Sequence, residues 1–147
     1  MEKIFITGAT GLIGRRVVES QMANGNPPTC LLRPGRKLHG VPEEYIVQGD
    51  ILDPKSLSEG MRGATQVIHL AAVADWESIQ NPNVWDSIVE GTRNILAAAR
   101  DCGVQRVLHV SSAAAINGTL QPRLLNENSP FTLPHSGFLY AHAKREA

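Results

Sequence analysis

The fold of this chain is decided by the stretch Thr7-Gly8-Ala9-Thr10-Gly11-Leu12-Ile13-Gly14, which follows directly on the apolar run Ile4-Phe5-Ile6. Glycine tolerates the backbone angles of a tight turn, and its missing Cβ lets the chain approach a bound anion closely. The N-terminus of a following helix offers unpaired N–H groups to the same anion. A strand, a glycine-rich turn and a helix together predict a phosphate-binding βα unit. The helix is predicted by apolar residues at helical spacing, namely Leu12, Ile13, Val17, Val18 and Met22.

Length and composition limit the class of protein. The 147 residues predict one domain, and their net charge is zero with no basic cluster beyond Arg33 to Lys37. We therefore expect no nucleic-acid partner. No apolar run approaches the roughly 18 residues of a membrane helix, and no metal-ligand spacing is found, so neither membrane nor metal is expected. Cys30 and Cys102 form no disulfide framework, which favours the cytoplasm.

Apolar runs alternate with helical patterns, which predicts an α/β fold with a doubly wound parallel sheet. The predicted strands are about 3–7, 29–32, 45–48, 66–70 and 106–111. The predicted helices are about 12–23, a short one opened by Asp53-Pro54, one with an apolar face, and 138–147. A turn is predicted at Arg33-Pro34-Gly35 and a long loop over about 117–136. The apolar face carries Trp85, Ile88, Val89, Thr92, Ile95, Leu96 and Ala99.

The last predicted element is a helix after the fifth strand, whereas a doubly wound sheet usually continues with at least one more strand. We therefore expect residues 1–147 to be a dinucleotide-binding domain that lacks a C-terminal substrate-binding portion, either as the N-terminal part of a longer protein or as a naturally shortened relative.

Three polar residues in the second half of the chain suggest acid–base chemistry. Tyr140 and Lys144 are four residues apart on a predicted helix, so they share one face. A neighbouring ammonium favours a phenolate, which makes a tyrosine more useful as an acid–base. Ser112 follows a strand at the carboxyl edge of the sheet, where its hydroxyl could bind a substrate carbonyl.

Six motifs in this order resemble the extended short-chain dehydrogenase/reductase superfamily, in particular its NAD(P)-dependent epimerase/dehydratase and dihydroflavonol-reductase-like group. The resemblance covers essentially the whole chain. It is carried by Thr7-Gly8-x-x-Gly11-x-x-Gly14, Gly49-Asp50-Ile51-Leu52-Asp53, His69-Leu70-Ala71-Ala72, Glu90-Gly91-Thr92-Arg93-Asn94, Val110-Ser111-Ser112-Ala113 and Tyr140-Ala141-His142-Ala143-Lys144.

The resemblance implies a Rossmann fold in which Tyr140 is the acid–base and Lys144 holds the nicotinamide ribose. Ser112, rather than Ser111, would position the reacting carbonyl or hydroxyl. A small-molecule substrate and a homodimer are implied as well. The residues implied to bind the cofactor are Gly8, Thr10, Gly11, Leu12, Ile13, Gly14, Asp50, Ile51, Ala71, Ala72, Tyr140 and Lys144.

The choice of cofactor is predicted from charge. An acidic residue that binds a ribose 2′-hydroxyl is expected about 20 residues beyond the glycine loop, at the end of the second strand. Here that place holds Arg33, with Arg36 close behind, and no carboxylate is near in the sequence. Because a guanidinium can pair two phosphate oxygens, the sequence favours NADP over NAD.

Two departures from the family pattern bear on the reaction. Ile88 occupies a position where relatives often carry asparagine, which removes a polar group that could anchor water. Ala114-Ala115-Ile116-Asn117-Gly118 replaces the Val-Tyr-Gly run of many nucleotide-sugar epimerases, which favours a carbonyl reductase. Three hypotheses remain: an NADP-dependent oxidoreductase, a nucleotide-sugar epimerase or dehydratase with retained NAD, and a dinucleotide-binding module without catalysis.

Overall fold

The computed structural model describes residues 2–73, 81 and 83–147. Its centre is a five-stranded sheet in which every neighbouring pair is parallel, in the order β3-β2-β1-β4-β5. The order reverses between β1 and β4, and ligands of such sheets bind outside the carboxyl ends of the strands at that point. The strands are β1 (Ile4–Thr7), β2 (Thr29–Leu32), β3 (Ile46–Gln48), β4 (Gln66–His69) and β5 (Arg106–His109).

Helices cover both faces of the sheet, which confirms the doubly wound α/β fold. Helix α1 (Leu12–Ala23) packs on one face, where Ile6 and Cys30 meet Val18. Helices α2 (Pro54–Gly60) and α3 (Gly91–Asp101) pack on the other. There Phe5, which alternates with its neighbours along β1, meets Leu57. Helix α4 (Leu139–Glu146) joins this second layer beside the start of α3.

Capping and turn residues act where the sequence places them. The Asp53 side chain accepts a hydrogen bond from the backbone N–H of Lys55 at 3.1 Å, and Pro54 opens α2. Gly25 and Gly103 follow α1 and α3 with positive φ angles of 69° and 71°. Such left-handed glycines end helices without the steric cost of a Cβ.

The bounds of several elements differ from the expectation by one or two residues. Residue 3 lies outside β1, residue 70 outside β4, and residues 110–111 outside β5. Tyr45 belongs to a 3-10 turn, Glu43–Tyr45, rather than to β3. The final helix begins at Leu139 and ends at Glu146. At Leu70 and Val110 the backbone N–H groups still donate to Thr7 and His69 of the neighbouring strands, so the differences concern the assigned ends of the strands and not the sheet itself.

The helix with the apolar face departs from the expectation in two ways. Its first turns, Asp86–Glu90, are π-helical, and the α-helical part begins only at Gly91. Leu96 was expected on the buried face but is 46% exposed, so that assignment is wrong. The buried residues of α3 are Gly91, Thr92, Ile95, Ala98 and Ala99. Leu96 follows the fully buried Ile95 directly, so it lies about 100° further around the helix and outside this face.

A long irregular segment separates the 3-10 turn Ala113–Ala115 from α4, in agreement with the predicted loop. Asn117 is buried at the base of this loop and donates through Nδ2 to the carbonyl of Pro130 at 2.7 Å. The same side chain accepts from the backbone N–H of Thr132 at 3.4 Å. The Asn117 side chain thus joins the start of the loop to Pro130 and Thr132 near its end.

Among the helices of the described residues, none combines the length and the apolar character that are required to cross a bilayer.

Neighbouring residues on α3 test the burial pattern. We expect Ile95→Ala to lower the free energy of unfolding by about 2–5 kcal/mol, because it opens a cavity in the core. Leu96→Ala, the matched control, should change it by no more than about 0.5 kcal/mol. Urea unfolding followed by circular dichroism measures both, and equal effects would contradict the burial assigned to α3.

Candidate functional site

A cavity of about 640 Å³ opens at the carboxyl ends of β1, β2 and β4, where the strand order reverses. The glycine turn after β1 forms one wall, the turn after β2 forms another, and the segments after β3 and β4 complete it. This cavity brings together many of the predicted cofactor residues. They are Gly8, Thr10, Gly11, Arg33, Arg36, Asp50, Ile51, Ala71 and Ala72.

The glycine turn is packed too tightly for larger residues. Gly8 has a φ of +75°, and a Cβ placed on it would lie 2.6 Å from the backbone nitrogen of Ala71. A Cβ on Gly14 would lie 2.1 Å from the carbonyl oxygen of Gly8. Gly14 therefore lets α1 pack against the turn, and Gly8 lets β1 and β4 approach at their carboxyl ends.

The exposed side chains at the start of α1 restrict how these residues could contribute to phosphate binding. The side chains of Leu12 and Ile13 are 88% and 58% exposed, and neither residue is among those that line the cavity. Apolar side chains offer no polar group to a phosphate, so any hydrogen bond from these positions comes from their backbone N–H groups.

A turn presents two arginines to the cavity. The backbone N–H of Arg36 donates to the carbonyl of Arg33 at 3.0 Å, and Gly35 between them has a φ of +78°. Proline followed by a left-handed glycine is typical of a type II turn. Since the first and last residues of such a turn lie close together, Arg33 and Arg36 both reach the cavity wall.

The wall after β3 is held in place by hydrogen bonds. The Asp50 carboxylate accepts from the backbone N–H of Leu52 at 2.9 Å, and Ser56 donates to the Asp50 carbonyl at 3.2 Å. Asn94 of α3 donates to the carbonyl of Ile51 at 3.1 Å. The backbone of Asp50 and Ile51 is thus fixed from two helices.

The predicted acid–base residues lie outside the lining of this cavity, around the end of β5. Tyr140 is half-buried on α4, one turn before Lys144, as the sequence predicts. Lys144 is only 5% exposed and donates to the carbonyl of Val110 at 3.1 Å, next to the serine pair. Ser112 accepts a hydrogen bond from the backbone N–H of Ala114 at 3.2 Å.

Two histidines, read from the sequence as strand residues, lie beneath the site, where His69 is buried and His109 is half-buried. His69 on β4 and His109 on β5 stack with ring centroids 5.3 Å apart. Burial, the nearby His109 and the Lys144 charge lower the pKa of His69 to about 4. Burial and the Lys144 charge also lower the pKa of His109. Burial lowers the pKa of the Lys144 ammonium below its usual value.

His69 connects the glycine turn to α3. Its Nδ1 lies 2.7 Å from the Thr7 hydroxyl, and its Nε2 lies 3.1 Å from the Thr92 hydroxyl. Thr7 already accepts from the backbone N–H of Ala71 at 3.2 Å, so its own proton is free to go to Nδ1. The arrangement that satisfies every group is a neutral His69 that donates through Nε2 to Thr92.

Sequence reasoning missed part of the cavity wall. Thr7, just before the first glycine, and a group at the start of the π-turn, Asn83, Asp86 and Ser87, also line the cavity. The position of Thr7 at the end of a strand was an available signal. The other three reach the cavity only because α3 folds back over the end of β4, which no local pattern shows.

Comparison with known proteins identifies the family. Residues 4–147 match the model of the NAD dependent epimerase/dehydratase family, and the chain belongs to that family. It is 34% identical over 115 residues to a putative dihydroflavonol 4-reductase of Synechocystis sp., which aligns 76% of this chain with 33% of the relative. It is 30% identical to N-acetyl-alpha-D-glucosaminyl-diphospho-ditrans,octacis-undecaprenol 4-epimerase of Escherichia coli O157:H7, over 93% of this chain and 38% of the relative.

Solved structures agree with this assignment. The dTDP-glucose 4,6-dehydratase DesIV of Streptomyces venezuelae, solved with NAD and TYD bound, superposes with a TM-score of 0.75 at 27% identity. That superposition covers 98% of this chain and 48% of the DesIV chain. The chain thus spans between about a third and a half of the length of these relatives. Its sequence and fold are of the short-chain dehydrogenase/reductase type.

The buried His69 makes stability depend on pH. Its pKa of about 4 lies below the ordinary value of 6.5, so the unfolded chain binds a proton first as the pH falls. The stabilisation is complete above pH 6.5 and is lost between about pH 6.5 and 4, by roughly 3 kcal/mol. His69→Phe should flatten this pH dependence in urea unfolding at a series of pH values. His39→Asn, which changes an exposed histidine, should leave it as in the parent.

Proposed function

We propose that this domain serves an NADP-dependent oxidoreductase that transfers a hydride between the nicotinamide and a carbonyl or hydroxyl of a small molecule. The observation that carries the proposal is the cavity in which a glycine turn and two arginines face each other. A dinucleotide needs close backbone approach at its pyrophosphate and, for NADP, cations at its 2′-phosphate. The residues present meet both needs, because Gly8 and Gly11 line one wall and Arg33 and Arg36 another.

In the proposed reaction the nicotinamide supplies or accepts the hydride, and the chain supplies the proton. Tyr140 donates its phenolic proton to the substrate oxygen in reduction and takes it back in oxidation. Lys144, one turn further along α4, favours the phenolate by its charge and would hold the nicotinamide ribose. Ser112 donates to the substrate oxygen while its own oxygen accepts from Ala114. The carbonyl of Val110, two residues before Ser112 in the chain, accepts a hydrogen bond from Lys144.

The cofactor preference is tested by binding. The parent should bind NADPH more tightly than NADH, and the double variant Arg33→Ala/Arg36→Ala should lose about 10- to 100-fold in NADPH affinity with little change for NADH. The lost contacts are charge-assisted hydrogen bonds to a phosphate that NADH lacks. Arg62→Ala, an exposed arginine elsewhere, serves as the control. Fluorescence titration measures the dissociation constants, and a parent that binds NADH as tightly as NADPH would contradict the preference.

The role of Tyr140 is tested by removing one oxygen. Tyr140→Phe should lower turnover at least about 100-fold, while NADPH binding stays within about twofold, because only the proton donor is lost. Tyr45→Phe is the matched control and should keep parental turnover. NADPH absorbance is followed with a panel of ketones and aldehydes, both for this chain and for a longer form that contains it. A Tyr140→Phe variant with parental turnover would refute the assignment.

A second candidate is an epimerase or dehydratase that keeps its cofactor bound. It is favoured by the likeness to the 4-epimerase of Escherichia coli and to the DesIV dehydratase solved with NAD. In such a reaction the hydride returns to the sugar, so the cofactor is not consumed. Mass spectrometry of the nucleotide released from denatured protein separates the two candidates. Retained NAD would support the epimerase or dehydratase, and release of no nucleotide would favour the reductase.

A further inference from the structure

The imidazole of His109 belongs to a half-buried residue, and the pairing of its two ring nitrogens is unexplained. Both of its ring nitrogens are buried, and neither has a hydrogen-bond partner among the residues that the structure describes. In folded proteins nearly all buried polar atoms are paired, so such a ring calls for a bound water or a functional role. The proposed reaction as described so far makes no use of it.

The stacked neighbour, His69, is more deeply buried and serves as an example of a structural histidine. Both of its nitrogens are occupied, one by Thr7 and the other by Thr92. A neutral imidazole has one donor and one acceptor nitrogen, and in His69 both are used in structural hydrogen bonds to these two threonines. His109 keeps both available, although its ring lies only 5.3 Å from that of His69.

Lys144, whose charge acts on the His109 ring, makes one side-chain hydrogen bond with the described residues. An ammonium carries three N–H groups, and one of them reaches the carbonyl of Val110, the residue after His109. The adjoining π-turn contributes Ile88, which is buried and apolar and offers nothing polar. Among the described residues, the titratable groups that act on the His109 ring are Lys144, on α4, and His69, on β4.

We propose that His109 is a positioning residue for Lys144. A bridging water donates to one ring nitrogen of His109 and accepts from the Lys144 ammonium. This link keeps the ammonium charged and directed along the face of α4 that carries Tyr140. His69 cannot take this part, because its nitrogens are engaged. The consequence for catalysis rests on the proposed function, whereas the contact between His109 and Lys144 does not.

The contact is tested without turnover. The chain contains four lysines, so selective ¹³C labelling of lysine gives few signals, and Lys144→Arg identifies the one that is lost. The pKa of Lys144 is read from its ¹³Cε shift against pH. His109→Phe should lower this pKa by about one unit, a tenfold rise in the neutral fraction, because the ammonium loses an acceptor. His109→Gln keeps a polar group and should restore the parental titration, and His39→Phe on the surface should not alter it.

A folded His109→Phe variant in which Lys144 titrates as in the parent would overturn the proposal. So would a lowered pKa that His109→Gln fails to restore, since polarity would then not be the cause. If His109→Phe does not unfold cooperatively, His109→Leu takes its place as the apolar variant. Parental turnover in Tyr140→Phe would remove the proposed function but leave the lysine titration unaffected, so the two failures are distinguishable.

Discussion

The close approach of the glycine turn to the end of β4 is the constraint on which the site depends. A Cβ at Gly8 would meet the backbone at Leu70 and Ala71, and one at Gly14 would meet the carbonyl of Gly8. These contacts are with backbone atoms, which cannot move aside as a flexible side chain can. The absence of two side chains therefore lets β1, β4 and α1 meet, and the cavity opens where they do.

A chain of hydrogen-bonded, buried polar side chains supports the glycine turn and the end of β4. Thr7 ends β1, accepts from Ala71 after β4, and meets His69, which in turn reaches Thr92 on α3. In the low dielectric of the interior such bonds are strong when every member is paired. Strand β1, which leads into the glycine turn, is thus linked to α3. The bonds that fix this part of the cavity wall join neutral groups.

The two halves of the site are held by different means. The dinucleotide half is built from turns whose backbone is fixed by glycine conformation and by hydrogen bonds to Asp50 and Ile51. The proposed acid–base half depends on one long side chain, Lys144, which crosses from α4 to the end of β5. Geometry that depends on a single side chain needs further support, which the proposed contact with His109 would supply.

The parallel sheet, the glycine turn, the cap at Asp53 and the turn at Arg33-Pro34-Gly35 could all be predicted from the sequence. Each of them rests on short-range chemistry, namely φ restrictions, capping and the alternation of apolar runs. The π-turn, the exposure of Leu96 and the extra cavity residues were decided by tertiary packing. So was the difference between His69 and His109, which look alike in the sequence as single histidines near strand ends. Their nitrogens differ in partners only because Thr7 and Thr92 are brought to one of them from distant parts of the chain.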